Sequence, residues 1–335
     1  MLATRSESVR EVTTVRGLAA LEALRPEWDA LWCRCDATPF QHPAWLLPWA
    51  RVHAQDRAAA VLVRDAGGLA AILPVFTWDG ALHLAGAGPS DYAADLFAPD
   101  ATGVAAEALV VAADLAAAEA CDRINLPQLR PGSPLLDAAV PPGWTAATTA
   151  GDICPVAPLL GPEGLDAVPQ HWRRKLAYAH RKVGRAGAYT VETATPDTLD
   201  EIWQALEHAH AARWRARGED GGVLADDLLL RFMREAVPEL QTAGLLRLHA
   251  LRLEGRVVAA LLALHDGRRA HGYMQGFDPA LGNLGLGSIL VGHAMTAAHA
   301  EGLTEFHFLR GQEPYKYTWG AADTPTWRRS LTAAA

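Results

Sequence analysis

The sequence predicts an α/β (α+β) fold, with helices layered on a mixed sheet, in a chain of two domains. The length of 335 residues suits two domains of ~150–170 residues better than one. Helical and extended apolar patterns alternate along the first half of the chain. The second half has the order helix, helix, three strands joined by tight turns, helix and strand, which is typical of such a layered fold.

The elements of the first half follow from the spacing of its apolar residues. Leucines and Trp28 recur at helical spacing, and Pro43 suits the first turn of a second helix. An Asp-Ala-Gly-Gly turn between two apolar runs predicts a hairpin. The predicted elements are helices over residues 18–31, from 43 and over 105–120, and strands over 59–64, 69–76 and 123–129.

A change of composition marks the boundary between the domains. Eight prolines fall between Pro131 and Pro169, among glycines and alanines. Such a segment is typical of an interdomain connection. We therefore expect an N-terminal domain over residues 1–150, a connection over 131–169 and a C-terminal domain over 165–335.

In the second half, the tight-turn pairs Glu254-Gly255 and Asp266-Gly267 separate three strand-like runs and predict an antiparallel meander. Gly302 suits the end of the helix that follows. The predicted elements are helices over 170–186, 198–217, 226–237 and 286–300, and strands over 189–193, 245–253, 256–265, 269–277 and 304–309.

Composition and charge exclude several classes of protein. With 50% apolar residues the chain is not disordered or fibrous, and a net charge of −8 argues against a protein that coats nucleic acid. Four scattered cysteines without a CxxC pair or HExxH motif favour a reducing compartment and give a metal site little support. The N-terminus has no apolar signal segment, and no stretch is apolar enough to span a membrane. We expect a cytoplasmic protein without a membrane partner or a metal.

A glycine-rich turn, Gly282-Asn-Leu-Gly-Leu-Gly-Ser288, runs directly from a predicted strand into a predicted helix. Glycines let backbone N–H groups approach an anion, and the start of a helix adds unpaired N–H groups and a positive dipole end. The turn therefore predicts a diphosphate site. A Rossmann NAD site is disfavoured because the preceding strands form a short-turn meander and no acidic residue follows at the ribose-binding position.

Three antiparallel strands followed by such a strand–turn–helix–strand unit resemble the core of the GNAT N-acetyltransferase superfamily. From Phe40 onward the chain resembles its CelD-like branch, which is associated with cellulose biosynthesis and related to the FemAB peptidyltransferases. The residues that carry this resemblance are Phe40-Gln-His-Pro-Ala-Trp45, Ser90-Asp-Tyr-Ala-Ala-Asp-Leu96, His171-Trp-Arg-Arg-Lys175, Arg213-Trp-Arg-Ala-Arg-Gly218, Gly272-Tyr-Met-Gln-Gly-Phe-Asp278, Phe306-His-Phe-Leu-Arg-Gly-Gln-Glu-Pro-Tyr-Lys316 and Trp319.

The resemblance implies two tandem GNAT-like domains, each a mixed, largely antiparallel sheet flanked by helices. It also implies acetyl-CoA, or another acyl-CoA, as co-substrate of the second domain. In such enzymes the strand matching Arg269–Phe277 lends backbone groups to the pantetheine, and the turn after it holds the diphosphate. The residues assigned to the coenzyme in this way are Tyr273, Met274, Gln275, Leu284, Gly285, Leu286, Gly287 and Ser288.

The chain departs from the family pattern at two positions. Gly282 stands where the motif usually begins with Gln or Arg, which removes one side-chain contact to the coenzyme. His307 stands where related sequences usually have Asp.

Three residues after the coenzyme turn are candidates for catalysis. His307 titrates near neutrality and is a candidate general base, or else a buried, hydrogen-bonded histidine. Glu313 is a competing base. Tyr315, or Tyr317, could protonate the leaving thiolate, with a packed and anchored tyrosine as the alternative.

The candidates for binding the acceptor come from both halves. Asp91 and Tyr92 follow a glycine-rich loop and could hold the acceptor, or serve turn and cap roles. Arg213 and Trp214 could close its pocket or simply pack. Arg310 and Lys316 could hold an anionic group, or pair with Glu313 or Asp323.

The helix over residues 170–186 has six cations and no acidic residue. A solvated face, a contact to phosphates and transfer-RNA binding all fit this pattern, since its apolar residues form a separate stripe.

The sequence thus predicts a direct, ternary-complex acyltransferase that acts on an amine of a small-molecule, sugar or peptide-like acceptor. Its first domain is predicted to be a degenerate copy, because it lacks the glycine-rich turn. The alternatives are a FemAB-like transferase that uses aminoacyl-tRNA and a non-catalytic protein that binds acyl-CoA.

Overall fold

In a computed structural model, which describes residues 10–99, 103–215 and 226–334, the chain forms two compact units. The first unit extends to Asp152 and includes the segment from Pro325 to Ala335, and the second unit is Ile153–Thr324. The second unit starts before residue 165 because the strand Val156–Pro158 pairs in the second sheet, and it ends before residue 335 because the last strand pairs in the first sheet.

The first unit contains three short helices before a hairpin, and one longer helix after it. Its elements are β1 (Glu11–Arg16), α1 (Leu18–Ala23), α2 (Arg25–Arg34), α3 (Pro43–Trp49), β2 (Ala58–Asp65), β3 (Gly68–Trp78), β4 (Ala81–Leu84), β5 (Leu96–Phe97), α4 (Val104–Ala118), β6 (Arg123–Leu129) and β7 (Trp144–Ile153).

The second unit follows the predicted order of elements. Its elements are β8 (Val156–Pro158), α5 (Gln170–Ala186), β9 (Tyr189–Thr193), α6 (Leu199–Arg215), α7 (Asp227–Thr242), β10 (Leu246–Leu253), β11 (Arg256–His265), β12 (Arg269–Phe277), α8 (Leu286–Ala300), β13 (Glu305–His307) and α9 (Pro314–Tyr317). The last strand of the chain, β14 (Pro325–Ala333), belongs to the first sheet.

Each unit is built on a mixed sheet. The first sheet has the order β1-β2-β3-β4-β6-β14-β7, with β5 added beside β3, and the second has the order β8-β13-β12-β11-β10-β9. In each sheet an antiparallel meander leads through one helix to a parallel strand: β4 and β6 are parallel across α4, and β12 and β13 are parallel across α8. The predicted fold class, two tandem mixed sheets flanked by helices, is confirmed.

The helices bury the faces that their apolar spacing predicts. On α4 the small residues Ala108, Ala112 and Ala116 pack against the first sheet. On α5 the stripe formed by Leu176, Ala179 and Val183 faces α8 and the second sheet. The charged residues of α5 are therefore left on its other faces.

Two elements end at places that the sequence did not predict. The predicted end of α7 is residue 237, but the helix continues through Pro238 to Thr242. The Thr242 hydroxyl donates to the Pro238 carbonyl at 2.9 Å. β13 ends at His307, short of the expected Leu309, because Leu309 has a left-handed backbone with φ 59°.

Among the helices that the structure describes, none is both long enough and apolar enough to cross a bilayer.

Candidate functional site

The glycine-rich turn forms a left-handed entry into α8. A short 3₁₀ helix, Pro279–Leu284, leads to Gly285, whose φ of 78° favours glycine. The N–H groups of Ser288 and Ile289 both donate to the Gly285 carbonyl. The amides of Leu286 and Gly287 lie before the first possible intrahelical acceptor, so they are available to an anion at the positive end of the helix dipole.

A pocket of about 280 Å³ opens beside this turn. One wall is the turn itself, with Leu284, Gly285 and Ser288, and the opposite wall is α5. Lys175 and Lys182 of α5 lie in that wall together with Trp172 and Tyr178, and Trp319 closes the end of the pocket.

The two lysines of the pocket are held in place by different contacts. The Lys182 ammonium donates to the Asn283 carbonyl at 2.6 Å, which ties α5 to the turn. The Lys175 ammonium lies 3.7 Å from the centroid of the Trp172 ring. A concave surface with two cations, aromatic faces and a helix N-terminus suits a phosphorylated nucleotide.

Strand β12 separates from β13 after the first three of its nine residues. The two strands pair only at three positions, ending with His271 opposite His307, although β12 runs on to Phe277. Beyond His271, none of the described strands pairs with β12 on this side. We call this opening the wedge.

The predicted coenzyme residues Tyr273, Met274 and Gln275 lie along the wedge. Tyr273 is the extra residue of a β-bulge, since Gly272 pairs with Ala263 and Met274 with Leu262. A bulge re-aims the backbone locally and is often found next to active sites. The structure therefore brings these three residues and the turn of α8 into one continuous region of the second unit.

The Gln275 side chain connects the wedge with the turn. A Cβ atom at Gly287 would come within 3.3 Å of Gln275 Oε1, so the two residues lie side by side. That oxygen is buried and has no hydrogen-bond partner among the described residues. The sequence assigned only the backbone of Gln275 to the coenzyme, but its amide group is equally placed.

His307 lies at the closed end of the wedge. Its Nε2 is 3.1 Å from Glu305 Oε2, and its side chain is 9% exposed. Burial lowers the pKa of His307, and hydrogen bonding to Glu305 only partly opposes this shift. The imidazole is therefore neutral at pH 7 and able to accept a proton, so the position fits both the base and the buried, hydrogen-bonded histidine that the sequence left open.

The loop after β13 is held together by Lys316. This side chain is 4% exposed, and its ammonium donates to the carbonyls of Leu309, Arg310 and Gly311 at 3.2, 2.6 and 3.0 Å. It also pairs with Glu313 at 2.9 Å. Lys316 thus has the ion pair named as the alternative to substrate binding.

The other candidates in this loop face solvent to different degrees. Glu313 is exposed and caps the short helix α9, and Tyr315 is exposed with its ring 6.4 Å from that of Phe308. Arg310 is half-buried. The Tyr317 hydroxyl donates to Asp323 at 2.6 Å, and this hydrogen bond raises the pKa of the phenol.

The acceptor candidates of the first unit are buried within it. Tyr92 is 2% exposed and packs edge-on against Phe40, and Asp91 beside it is also buried. Arg213 and Trp214 belong to α6 by their backbone, while their side chains lie outside the described part of the chain. The acceptor roles of these four residues stay predictions.

Sequence reasoning missed His271 and Asp266. His271 Nε2 is 2.9 Å from Asp266 Oδ2, and the rings of His271 and His307 are 4.8 Å apart. A signal was present, because Asp266 precedes a strand on which Arg269 and His271 share a face by their spacing of two. No group of three or more His, Cys, Asp or Glu residues in the described part of the chain is arranged to hold a metal.

Comparison with known proteins adds a family match and several similar folds. Residues 170–317 match the family described as "Acetyltransferase (GNAT) domain". None of the curated proteins matches the sequence.

Three solved structures resemble almost the whole chain. FemX is 12% identical, with a TM-score of 0.66 and coverage of 95% of this chain and 96% of that chain. The C-terminal domain of a putative lysylphosphatidylglycerol synthetase from Agrobacterium fabrum is 11% identical, with a TM-score of 0.61 and 92% of both chains covered. A tandem GNAT protein from the clavulanic acid biosynthesis pathway is 15% identical, with a TM-score of 0.50 and 97% and 99% covered. At these identities the likeness establishes the fold.

Proposed function

Because residues 170–317 form a GNAT acetyltransferase domain in a chain with a tandem GNAT fold, we propose that the protein is an acyl-CoA-dependent acyltransferase, and specifically an N-acetyltransferase. The observation that carries this proposal is the pocket at the start of α8. It places two lysines of α5 opposite the turn from which α8 begins, and the first turn of α8 contains no acidic residue.

The donor is held in two parts. The amides of Leu286 and Gly287 bind the diphosphate, while Lys175 and Lys182 neutralise its charge and Trp172 offers a face to the adenine. The pantetheine extends along β12 at Tyr273 to Gln275, on the side where none of the described strands pairs with these residues. Lys182 also takes over the side-chain contact that is lost with glycine at position 282.

The reaction is the attack of a neutral amine on the thioester carbonyl. Holding the two groups in line can supply an effective molarity of ~10⁵–10⁸ M. A backbone N–H of the bulged strand stabilises the oxyanion as charge develops. His307 removes the amine proton, directly or through a water, and Tyr315 or solvent protonates the leaving thiolate. Glu313 is the second candidate base.

The acceptor is an amine on a small-molecule, sugar or peptide-like compound. Asp91, Tyr92, Arg213, Trp214 and Arg310 are the residues that we propose to contact it. Lys316 holds the loop after β13 through its three carbonyl contacts, and in this proposal it positions Arg310 for the acceptor. Acyl-CoA is a cytoplasmic metabolite, so the proposal keeps the cytoplasmic location expected from the sequence.

A second candidate function is the transfer of an aminoacyl group from transfer RNA. The fold of FemX supports it, and so do the exposed cations of α5, which include Arg173, Arg174 and Arg181. The pocket favours acyl-CoA, because its two lysines converge on a helix N-terminus, whereas these arginines form a dispersed face.

Titration calorimetry of the full chain with acetyl-CoA and with free coenzyme A tests the proposal. We expect both to bind with micromolar dissociation constants, and we expect thiol release when acetyl-CoA is supplied with a panel of amines. Salt-sensitive binding of bulk transfer RNA without any heat from coenzyme A would replace the proposal by the second candidate. Binding without thiol release for every amine would identify a non-catalytic acyl-CoA-binding protein.

A further inference from the structure

A buried network of charged and titratable groups closes the wedge. It contains two histidines, His271 and His307, each of which contacts its own carboxylate, Asp266 or Glu305. Buried charged groups cost free energy unless they are paired and hydrogen-bonded. Asp266 is a buried charge of this kind, and His271, His307 and Glu305 are linked to it at the point where the strands separate, which makes the network a candidate for a role there.

Asp266 is the fixed anion of the network. Its side chain is 2% exposed, and its Oδ1 accepts from the backbone N–H groups of Arg268 and Arg269, both at 2.8 Å. Its Oδ2 accepts from Arg269 Nε and contacts His271 Nε2, both at 2.9 Å. Burial alone would raise the pKa of Asp266, but these hydrogen bonds and charges hold it well below its usual range. The carboxylate therefore stays charged, and it accepts from an Nε2–H of His271.

His271 is fully buried and in contact with the ring of His307. Burial lowers the pKa of His271 to about 4, so the ring is neutral at pH 7. Since Asp266 holds its Nε2–H and the strand pairing places it opposite His307, His271 has one tautomer and one position. Its ring plane is tilted by 47° against that of His307.

Glu305 connects the network to solvent. It contacts His307 through Oε2 at 3.1 Å and Arg268 through Oε1 at 2.9 Å, and its side chain is 28% exposed. The hydrogen bond with His307 lowers the pKa of Glu305 to about 2. His307 thus lies between an anion at the surface and a second anion, Asp266, behind His271.

We propose that Asp266, His271, His307 and Glu305 act together as one proton-accepting unit, in which His271 is a positioning residue for His307. This inference rests on the proposed function. The amine nitrogen forms a bond to the thioester carbonyl carbon, and its N–H bond breaks as the proton moves to the His307 imidazole. The C–S bond breaks in turn, and the sulfur leaves as a thiolate with the bonding electron pair. Glu305 and Asp266 stabilise the resulting imidazolium from two sides, and the proton passes to solvent beside Glu305.

The charged groups around His271 and His307 determine whether a mutation raises or lowers the pKa of His307. Asp266 and Glu305 favour the protonated form of His307, and Arg269 opposes it. Arg268 acts through its contact with Glu305. Asp266→Asn removes one anion that favours the protonated form and leaves the positive charge of Arg269 less neutralised, so the pKa of His307 should fall. Glu305→Gln should also lower it.

Histidine-labelled full chain, titrated by NMR, measures this coupling directly, with the His307 signal assigned from its loss in His307→Gln. Glu301→Gln is the matched control, because that carboxylate contacts a different buried histidine, His265, at 3.2 Å. We expect it to leave the pKa of His307 unchanged. An equal absence of effect in Asp266→Asn would overturn the proposal and make Asp266 and His271 purely structural.

Calorimetry with coenzyme A on the same variants separates this inference from the proposed function. We expect each variant to bind coenzyme A within about threefold of the unmodified chain, because the network lies away from the diphosphate pocket. Intact coupling without any coenzyme binding would refute the acyl-CoA function and leave the coupled histidines standing. Coenzyme binding without coupling would refute only the inference.

Discussion

The two crossover helices, α4 in the first unit and α8 in the second, begin with the same backbone geometry but differ in the charged residues around their first turns. Each follows an antiparallel meander and precedes a parallel strand, and each starts after a left-handed glycine, Gly103 or Gly285, with φ 78°. The repeated backbone is therefore retained at both places.

The residues of the first turn differ between the two helices. α4 carries Glu107 in its first turn, and Arg10 pairs with that carboxylate at 2.8 Å. Val104 and Ala105, which open α4, are buried in the core of the first unit. α8 opens with Leu-Gly-Ser, has no acid in its first turn and faces lysines of α5.

The two helices thus share the geometry of their start but differ in the charge of their first turn. A carboxylate in the first turn interacts favourably with the helix dipole and occupies the place of an external anion. In α4 the Glu107 carboxylate supplies the negative charge at the start of the helix. In α8 no side chain of the first turn supplies it, and we propose that a ligand does. This supports the expectation that the first domain is the degenerate copy.

The largest expected effect comes from adding an acid to the open helix. Ser288 is the third residue of α8 and is exposed, so Ser288→Glu introduces a carboxylate without crowding. Its charge competes with the diphosphate, and we expect the affinity for coenzyme A to fall at least ~100-fold, or about 2.7 kcal/mol. Titration calorimetry measures the loss.

Ala106→Glu is the matched control, since Ala106 is the third residue of α4. We expect it to leave coenzyme binding unchanged. If both substitutions weakened binding equally, the difference between the two helices would not be the origin of the site.

The next effect is a difference in acid stability between the units. Burial lowers the pKa of His249 to about 3 and that of His271 to about 4 in the second unit, and that of His42 to about 4 in the first. These histidines stay neutral in the folded protein but bind protons in the unfolded chain. Their contribution to the free energy of unfolding is therefore fully present above pH ~6.5 and is lost as the pH falls. At pH 5 each histidine lowers the free energy of unfolding by about 2 kcal/mol, so the loss is about 4 kcal/mol for the second unit and about 2 kcal/mol for the first.

Hydrogen exchange at pH 7 and pH 5, read by mass spectrometry for each unit separately, measures this difference. The second unit should lose protection first, and its other buried histidines add to the effect, because the pKa values of His180, His265, His293 and His307 are also lowered. Earlier loss in the first unit would contradict the assignment.

The smallest effect concerns a single lysine of the pocket. Lys182→Gln removes one cation and its contact to the Asn283 carbonyl, and we expect about a tenfold loss of affinity for coenzyme A, or ~1.4 kcal/mol. The salt dependence of binding should also decrease. Arg185→Gln changes an exposed cation of the same helix and should have no effect. Identical results for both would mean that α5 acts only through its overall charge.

Local patterns predicted most of the second unit. The glycine pairs at 254–255 and 266–267 fixed the meander, and the boundaries of α5 and α8 agree with the predicted ones because their caps and apolar stripes lie in the sequence itself. The turn of α8 was predicted as an anion site for the same reason, since its glycines and the helix start are contiguous.

Pairing between distant segments could not be read in this way. β14 pairs with β6, about 200 residues earlier, and nothing local in Pro325–Ala333 specifies that partner. The contact of His271 with His307 depends on the parallel register of β12 and β13, and the basic wall of the pocket depends on α5 lying against α8. These features depend on packing between distant segments. The sequence therefore indicated candidate residues but not the contacts that those residues make in space.

The position of β14 reverses the order in which the two units can be completed on the ribosome. In the first sheet β14 lies between β6 and β7, so until it emerges those two strands have a gap between them. Residues 153–324 leave the exit tunnel before β14 does, and they contain every strand of the second sheet. The first unit, most of which is translated first, is therefore completed last, and a nascent chain must keep an incomplete sheet from aggregating while the second unit is already formed.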